Sequence, residues 1–341
     1  MNKDQLHQVA KAMVAPGKGI LAADESTSTI KKRFDDIKVE NTEDNRRDYR
    51  EFMFRAQAAM KNHISGVILF DETIRQKAKD GTPLVKIIEQ MGAIPGIKVD
   101  RSTHPLPGFP GETITEGLDG LPKRMKEYYD LGARFAKWRA VIRIDDGLPT
   151  WGAVRANMQA LGRYAAICQE ADIVPIVEPE VLMDGSHSID RTYEVTEMVL
   201  RTLYEELYFH RVFLEGSILK PNMVVSGEDA PMKASPAEVA EATIRVFRRT
   251  VPTAVPGIAF LSGGQSDVEA TANLDAIAKL GPQPWAITFS YGRALQHAAQ
   301  RAWAGKKEQE AAGQAAFIHR AHMNGLAQQG HWSDASEKQA A

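Results

Sequence analysis

The sequence predicts a (β/α)8 barrel, on three observations. Eight short apolar runs alternate with longer amphipathic segments across 341 residues, as strands alternate with helices in a barrel of this kind. The runs are apolar on both faces, which suits parallel strands covered by helices. Their C-terminal ends, where a barrel carries its chemistry, hold an unusual density of ionisable residues.

The strands are expected in GILAAD from Gly19, ISGVILF from Ile64, IPGIKVD from Ile94 and RFAKWRAVI from Arg134. Four more follow: IVPIVEPE from Ile173, GSILKP from Gly216, VPGIAFLSGG from Val255 and WAITFSYGR from Trp285. Helix patterns lie between them. They begin at Asn45 (NRRDYREFMFRAQAAMKNH), Gly120, Gly152, Ile189, Ser235 and Ser266. Ser235-Pro236-Ala237-Glu238 reads as a capping box with proline at the first helical position. Ser266 with Asp267 and Glu269 puts acid at a positive helix end, and Lys279 with Gly281 closes that helix. A doubly wound open sheet is the alternative. It calls for a glycine fingerprint after its first strand, but the glycine of GILAADEST precedes the strand.

There is no internal repeat, low-complexity segment or linker, so one domain is expected. The barrel would cover roughly residues 17–300, after an N-terminal extension, with a C-terminal helix and tail over roughly 301–341. After Lys306 the pattern is helical (EQEAAGQAAFIHRAHMNGL), then polar (GHWSDASEKQAA) and expected to be mobile.

Composition narrows the function classes. A hydrophobic content of 43% with 25% charged residues describes an ordinary globular protein. The formal net charge of -2 gives no electrostatic reason to expect nucleic-acid binding. No apolar stretch approaches the roughly 18 residues that cross a bilayer, so no membrane partner is expected. The N-terminus has neither an apolar signal core nor a cleavage site. The single cysteine, Cys168, forbids an intramolecular disulfide and fits a reducing compartment, so the expected location is cytoplasmic. Cys168 lies in an amphipathic pattern and reads as a small buried hydrophobe.

The strand ends suggest the chemistry. Asp24 and Glu25 end the first strand, and Lys98, Asp100 and Arg101 the third. Lys137 and Arg139 lie on the fourth, Glu178 and Glu180 on the fifth, Lys220 on the sixth. Taken singly, each is an ordinary structural ion pair or a snorkelling lysine. With Arg293 at the end of the eighth, charge on six of eight strands points instead to a catalytic cavity. Lys137 and Arg139 are two apart and share a face, as do Glu178 and Glu180. A lysine in an apolar strand end can act as an amine nucleophile, so Lys98, Lys137 and Lys220 together suggest carbonyl chemistry through a Schiff base.

Ser262-Gly263-Gly264 after the seventh strand and Ser290-Tyr291-Gly292-Arg293 after the eighth are small-residue loops before helices. Barrels commonly bind phosphate there, through backbone N–H groups. Arg293 would add a bidentate charge. Metal binding has little support: the nine histidines are scattered, and His319 with His322 lie on the tail rather than at strand ends.

In GKGILAADEST, GVILFDETIRQKAKDG, GIKVD, GETITEGLDGL, FAKWRAVI, IVPIVEPEVLMDG, ILKPNMV, FLSGGQS and FSYGRALQ, the chain resembles the class I, Schiff-base fructose-bisphosphate aldolases. The resemblance runs from about Val9 through at least Gln296. It implies a (β/α)8 barrel and a glycolytic and gluconeogenic lyase acting on a sugar bisphosphate, with no metal or other cofactor. It also implies a homo-oligomer, commonly a tetramer. Lys220 would form the Schiff base, and Glu178 would dehydrate the carbinolamine. Lys137 would keep charge near the reacting oxygens, Asp24 would take the C4 hydroxyl proton, and Glu180 would support them. Ser262, Gly263, Ser290, Gly292 and Arg293 match the site for the phosphate next to the ketone. Ser26, Thr29, Arg33 and Lys98 match the region of the distal phosphate, with Thr29 where serine is expected, and Arg139 matches a substrate-contacting arginine.

Animal members end in a tyrosine that helps exchange the enamine proton, whereas no tyrosine follows Tyr291 here. Either another group or water performs that exchange, or the tail takes no part. The sequence does not rank fructose 1,6-bisphosphate against another ketose phosphate such as sedoheptulose 1,7-bisphosphate. A binding protein built on an inactive barrel has no need to keep Asp24, Lys137, Glu178 and Lys220 together.

Overall fold

All eight apolar runs form strands, and these close into a parallel barrel in chain order. A computed structural model of the chain describes residues 1–339. Its first half contains α1 (Lys3–Met13), β1 (Gly19–Ala23), α2 (Thr27–Asp36), α3 (Glu43–Phe54), α4 (Gln57–His63), β2 (Ile64–Leu69), α5 (Asp71–Arg75), α6 (Leu84–Gln90), β3 (Ile94–Lys98), β4 (Thr103–Pro105), β5 (Thr113–Thr115), α7 (Leu121–Asp130) and β6 (Phe135–Ile142). The second half contains α8 (Trp151–Glu170), β7 (Val174–Val181), α9 (Ile189–Phe209), β8 (Ile218–Leu219), α10 (Pro236–Thr250), β9 (Gly257–Phe260), α11 (Asp267–Lys279), β10 (Ala286–Tyr291), α12 (Arg293–Trp303), α13 (Glu310–Gln328) and α14 (Asp334–Gln339). The barrel runs β1, β2, β3, β6, β7, β8, β9, β10 and back to β1, while β4 and β5 pair as a separate antiparallel hairpin.

The inner face of the barrel changes character along its length. On alternate residues β6 presents Phe135 and then Lys137 and Arg139; β7 presents Val174 and Ile176 and then Glu178 and Glu180. Ile218 and Lys220 repeat the change at β8, and Ile20, Ala22 and Asp24 at β1. The lower half is therefore an apolar plug. Helix α1 seals it from below with Leu6, Ala10, Met13 and the adjacent Val14, all buried against those strand residues. β8 is short, but the Lys220 N–H donates to the Val177 carbonyl at 2.8 Å, which carries the ladder to the lysine. Pro221 has no N–H with which to continue it.

The outer helices start where their caps predict. Ser235 with Glu238 and Ser266 with Glu269 both form complete capping boxes. Gly281 follows α11 at φ 84°, a left-handed conformation that glycine adopts without a Cβ penalty. The pattern expected as one helix from Asn45 is two, α3 and α4, interrupted at Arg55 and Ala56. No glycine or proline marks that break, and it is α4 that leads directly into β2.

The tail differs from expectation. Its polar segment is not left loose: Trp332 is buried, and its indole N–H donates to Glu337 Oε2 at 2.9 Å. Glu337 also pairs with Arg320 and lies 3.1 Å from His319 Nε2. One buried aromatic and one shared carboxylate therefore dock a stretch whose composition alone reads as polar. The final two alanines lie outside the described residues. No described helix is long and apolar enough to cross a membrane.

The apolar plug leaves no spare volume at Gly96, the ladder partner of Phe135. A Cβ there would approach the Phe135 ring to 2.2 Å, and that ring is fully buried. Gly96→Ala is therefore expected to destabilise the protein by about 1–3 kcal/mol through overpacking, read from the midpoint of urea unfolding. An unchanged midpoint contradicts this account of the plug.

Candidate active site

All the residues singled out for catalysis or phosphate binding line one cavity of about 590 Å³ at the C-terminal end of the barrel. Parallel register brings them together. Lys98 on β3 is the ladder partner of Lys137 on β6, and Arg139 on β6 is the partner of Glu178 on β7. Residues distant in sequence thus become neighbours at strand spacing.

The floor of the cavity is a chain of alternating charge. Lys137 Nζ lies 2.8 Å from Asp24 Oδ2, 3.3 Å from Glu178 Oε2 and 4.0 Å from Asp100 Oδ2. Lys220 Nζ lies 3.4 Å from the other oxygen of Glu178. One carboxylate thus stands between two lysines, and all three side chains are 5% exposed. Glu178 Oε2 is near Lys137 but off the angle for a hydrogen bond, so it has no hydrogen-bond partner. Lys98 is paired with Asp100 at 3.0 Å, and Arg139 with Glu180.

The two central groups respond to each other. Burial alone would raise the Asp24 pKa; attraction to Lys137, and then to Lys220, instead holds it well below the usual carboxylate range. Burial alone would lower the Lys137 pKa, but Asp24, Glu178 and Asp100 hold it above the ordinary lysine value. Lys137 is therefore a fixed ammonium and Asp24 a fixed carboxylate. Elsewhere, burial raises the Cys168 thiol pKa, which fits a packing role and not a reactive one.

Hydroxyls, glycines and guanidiniums form the rim. Gly263 has φ 55°, and its carbonyl accepts from Arg293 Nη2 at 2.6 Å, which ties the loops after β9 and β10 together. The Ser290 Oγ is buried without a hydrogen-bond partner. Ser26 caps α2 by accepting from the Thr29 N–H, and its Oγ lies 3.0 Å from Thr29 Oγ1. Arg33 reaches across to the β10 loop: its Nη2 is 3.8 Å from the position a Gly292 Cβ would take. That puts Arg33 beside the loop matched to the ketone-side phosphate, while it shares α2 with Thr29 of the distal group.

Asp100 stood out in the sequence only as a strand-end charge; its position two residues after Lys98 is the signal that it shares that lysine's face. Glu25, Met183, Asp184 and Glu228 also line the cavity without having been singled out as site residues. Met183 and Glu228 lie on connections whose course the strand pattern does not define. Arg101 turns away from this cavity into neighbouring surface grooves. Among the described residues, no three His, Cys, Asp or Glu side chains are arranged to hold a metal ion.

Because the pKa of Asp24 is lowered on folding, its stabilising contribution is complete above the ordinary value of 3.8 and is lost as the pH falls below it. Asp24→Asn is expected to be less stable than the parent by about 1–3 kcal/mol near neutral pH, since it removes one of the three carboxylates beside a buried ammonium. The difference should shrink below pH 3.8. A difference that is constant down to strongly acidic pH contradicts the pairing.

Comparison with known proteins places the chain in a family. The family model described as fructose-bisphosphate aldolase class-I matches residues 5–341. A probable fructose-bisphosphate aldolase class 1 from Xanthomonas campestris pv. campestris is 55% identical over 333 residues, covering 97% of this chain and 99% of its own. Fructose-bisphosphate aldolase C from Rattus norvegicus is 52% identical over 340 residues, covering 99% of this chain and 94% of its own. The solved structure of fructose-bisphosphate aldolase from Plasmodium falciparum, in complex with TRAP and a small-molecule inhibitor, superposes with a TM-score of 0.95 at 49% identity, covering 97% of this chain and 96% of that one. The chain belongs to the class I fructose-bisphosphate aldolase family.

Proposed function

We propose that this chain reversibly cleaves fructose 1,6-bisphosphate to dihydroxyacetone phosphate and glyceraldehyde 3-phosphate through an imine on Lys220, in glycolysis and gluconeogenesis. One observation carries the reading: Glu178 stands between Lys220 and Lys137, on the floor of a cavity rimmed by serines, glycines and arginines. A proton carrier beside an amine, with a fixed cation opposite, suits the making and breaking of an imine.

In the cleavage direction the Lys220 amine attacks the C2 carbonyl. Glu178 takes one proton from the nitrogen and delivers it to the C2 oxygen to give the carbinolamine; a second proton, taken up from solvent by Glu178, then lets that oxygen leave as water, and the nitrogen keeps one hydrogen as the iminium forms. Lys137 stabilises negative charge on that oxygen as it forms. The iminium then draws the C3–C4 bonding electrons, the C4 hydroxyl gives up its proton, and the aldehyde departs. The free enamine is protonated at C3, and water hydrolyses the imine to return the amine and dihydroxyacetone phosphate.

We assign the C4 proton to Glu178 rather than to Asp24. Asp24 is a weak base while Lys137 lies against it, whereas Glu178 Oε2 has no hydrogen-bond partner to give up. On this reading Asp24 orients Lys137, Glu180 orients Arg139 toward the substrate, and Asp100 does the same for Lys98. Ser262, Gly263, Ser290, Gly292, Arg293 and Arg33 bind the ketone-side phosphate, and Ser26, Thr29 and Lys98 the distal one. The family reading also leads us to a cytoplasmic homo-oligomer, expected to be a tetramer. The exposed aromatics Trp151, Tyr208 and Phe209 are consistent with contacts between subunits.

Borohydride added to protein and fructose 1,6-bisphosphate, with chelator present, should leave a stable adduct on the peptide containing Lys220, located by mass spectrometry. Lys220→Met should leave none. Glu178→Gln should lower kcat by about 10²–10⁴-fold. An adduct on another lysine, or activity that disappears with the chelator, contradicts the assignment.

A further inference from the structure

We propose that Glu25, which has no role in the chemistry above, is a positioning residue that presents Arg33 to the phosphate carried next to the ketone. The proposal rests on the aldolase reading of the cavity. Asp24 and Glu25 are consecutive at the end of β1, so their side chains diverge. Asp24 joins the lysines on the cavity floor, while the Glu25 side chain is only 4% exposed. A carboxylate buried that deeply must be paired.

Its partners come from three helices. Arg33 on α2 pairs with Glu25 Oε1 through Nη1. Gln296 on α12 donates to the same oxygen at 2.9 Å. Arg50 on α3, itself fully buried, donates to the Glu25 backbone carbonyl at 2.8 Å and lies 3.7 Å from Oε2. The Gln296 amide has only one workable orientation. Its N–H groups meet two pure acceptors, Glu25 and the Ala22 carbonyl at 2.7 Å, while its oxygen accepts from the Tyr49 hydroxyl at 2.9 Å. Glu25 therefore has little freedom to move.

A guanidinium is planar, so fixing one edge fixes the other. With Nη1 held by Glu25, Nη2 of Arg33 is aimed at Gly292, 3.8 Å from where a Cβ would stand. Gly292 begins α12 and closes the loop that carries Ser290 and Arg293. The free edge of Arg33 is thus offered to an anion bound there, and Glu25 balances its charge when the site is empty.

The test measures the dihydroxyacetone phosphate concentration that gives half-maximal borohydride trapping on Lys220. Four proteins are compared: the parent, Glu25→Gln, Arg33→Met and the double variant. Glu25→Gln should raise that concentration about tenfold while leaving the maximal extent of trapping unchanged. In the Arg33→Met background the same change should have less than a twofold effect, because the group it positions is gone. A half-saturation within twofold of the parent overturns the proposal. So does a tenfold effect that persists without Arg33, which is what a general structural role would give. If Glu25→Gln does not fold, Glu25→Asp carries the same comparison, since it withdraws the carboxylate by one methylene. Absence of any adduct in the parent protein refutes the aldolase reading, and this proposal with it.

Discussion

Buried charge must be paired, and that constraint organises the upper half of this barrel. At 3.3 Å, the Lys137–Glu178 separation, two unit charges attract by about 5 kcal/mol at an effective dielectric near 20. Removing each ion from water costs several kcal/mol, so one isolated pair at this depth gains little. The structure extends the pair into a chain: Lys220, Glu178, Lys137, Asp24, with Asp100 linking Lys137 to Lys98. The three inner members, Glu178, Lys137 and Asp100, each touch more than one partner of opposite sign. Removing Glu178, Lys137 or Asp100 leaves Lys220, Asp24 or Lys98, respectively, without its partner, and this gives the chain of charges its rigidity.

The fold makes that chain possible by dividing the barrel along its axis. Period-two alternation directs Phe135, Val174, Ile176 and Ile218 inward below, and Lys137, Glu178 and Lys220 inward above. Helix α1 and the plug keep water out from underneath, so the charged layer opens only toward the cavity. Parallel pairing sets lysine beside lysine and arginine beside glutamate at fixed spacing. The loops after β9 and β10 then line the cavity with Ser262, Gly263, Gly264, Ser290, Gly292 and Arg293, small residues and one guanidinium above Lys220.

The strands and the inward charges were legible because both follow from a two-residue period that local sequence displays openly. Glu178 and Glu180, or Lys137 and Arg139, announce their shared face by spacing alone. The caps at Ser235 and Ser266 were legible for the same reason, being complete within four residues. What the sequence did not disclose depends on contacts between distant segments. The ordered tail rests on Arg320 meeting Glu337 and on Trp332 finding a cleft, which polar composition conceals. The break between α3 and α4 carries no glycine or proline. Glu25 looks like one more strand-end acid until Gln296 and Arg50, far along the chain, are seen to hold it. The placement of Arg33 beside Gly292 follows from that same contact.

Two equally buried lysines differ in their surroundings: Lys137 lies within 4.0 Å of three carboxylates, which hold it as an ammonium, whereas Lys220 lies near one, Glu178. Both side chains are 5% exposed, so access does not separate them. The most direct measurement is trace labelling of the ligand-free protein near neutral pH with a small amine-selective acylating reagent, with the two sites quantified by mass spectrometry. The account predicts that Lys220 is labelled well ahead of Lys137, and that Lys137 stays unlabelled even above the ordinary lysine pKa of 10.5. Labelling of Lys137 at a rate equal to or greater than that of Lys220 would contradict it.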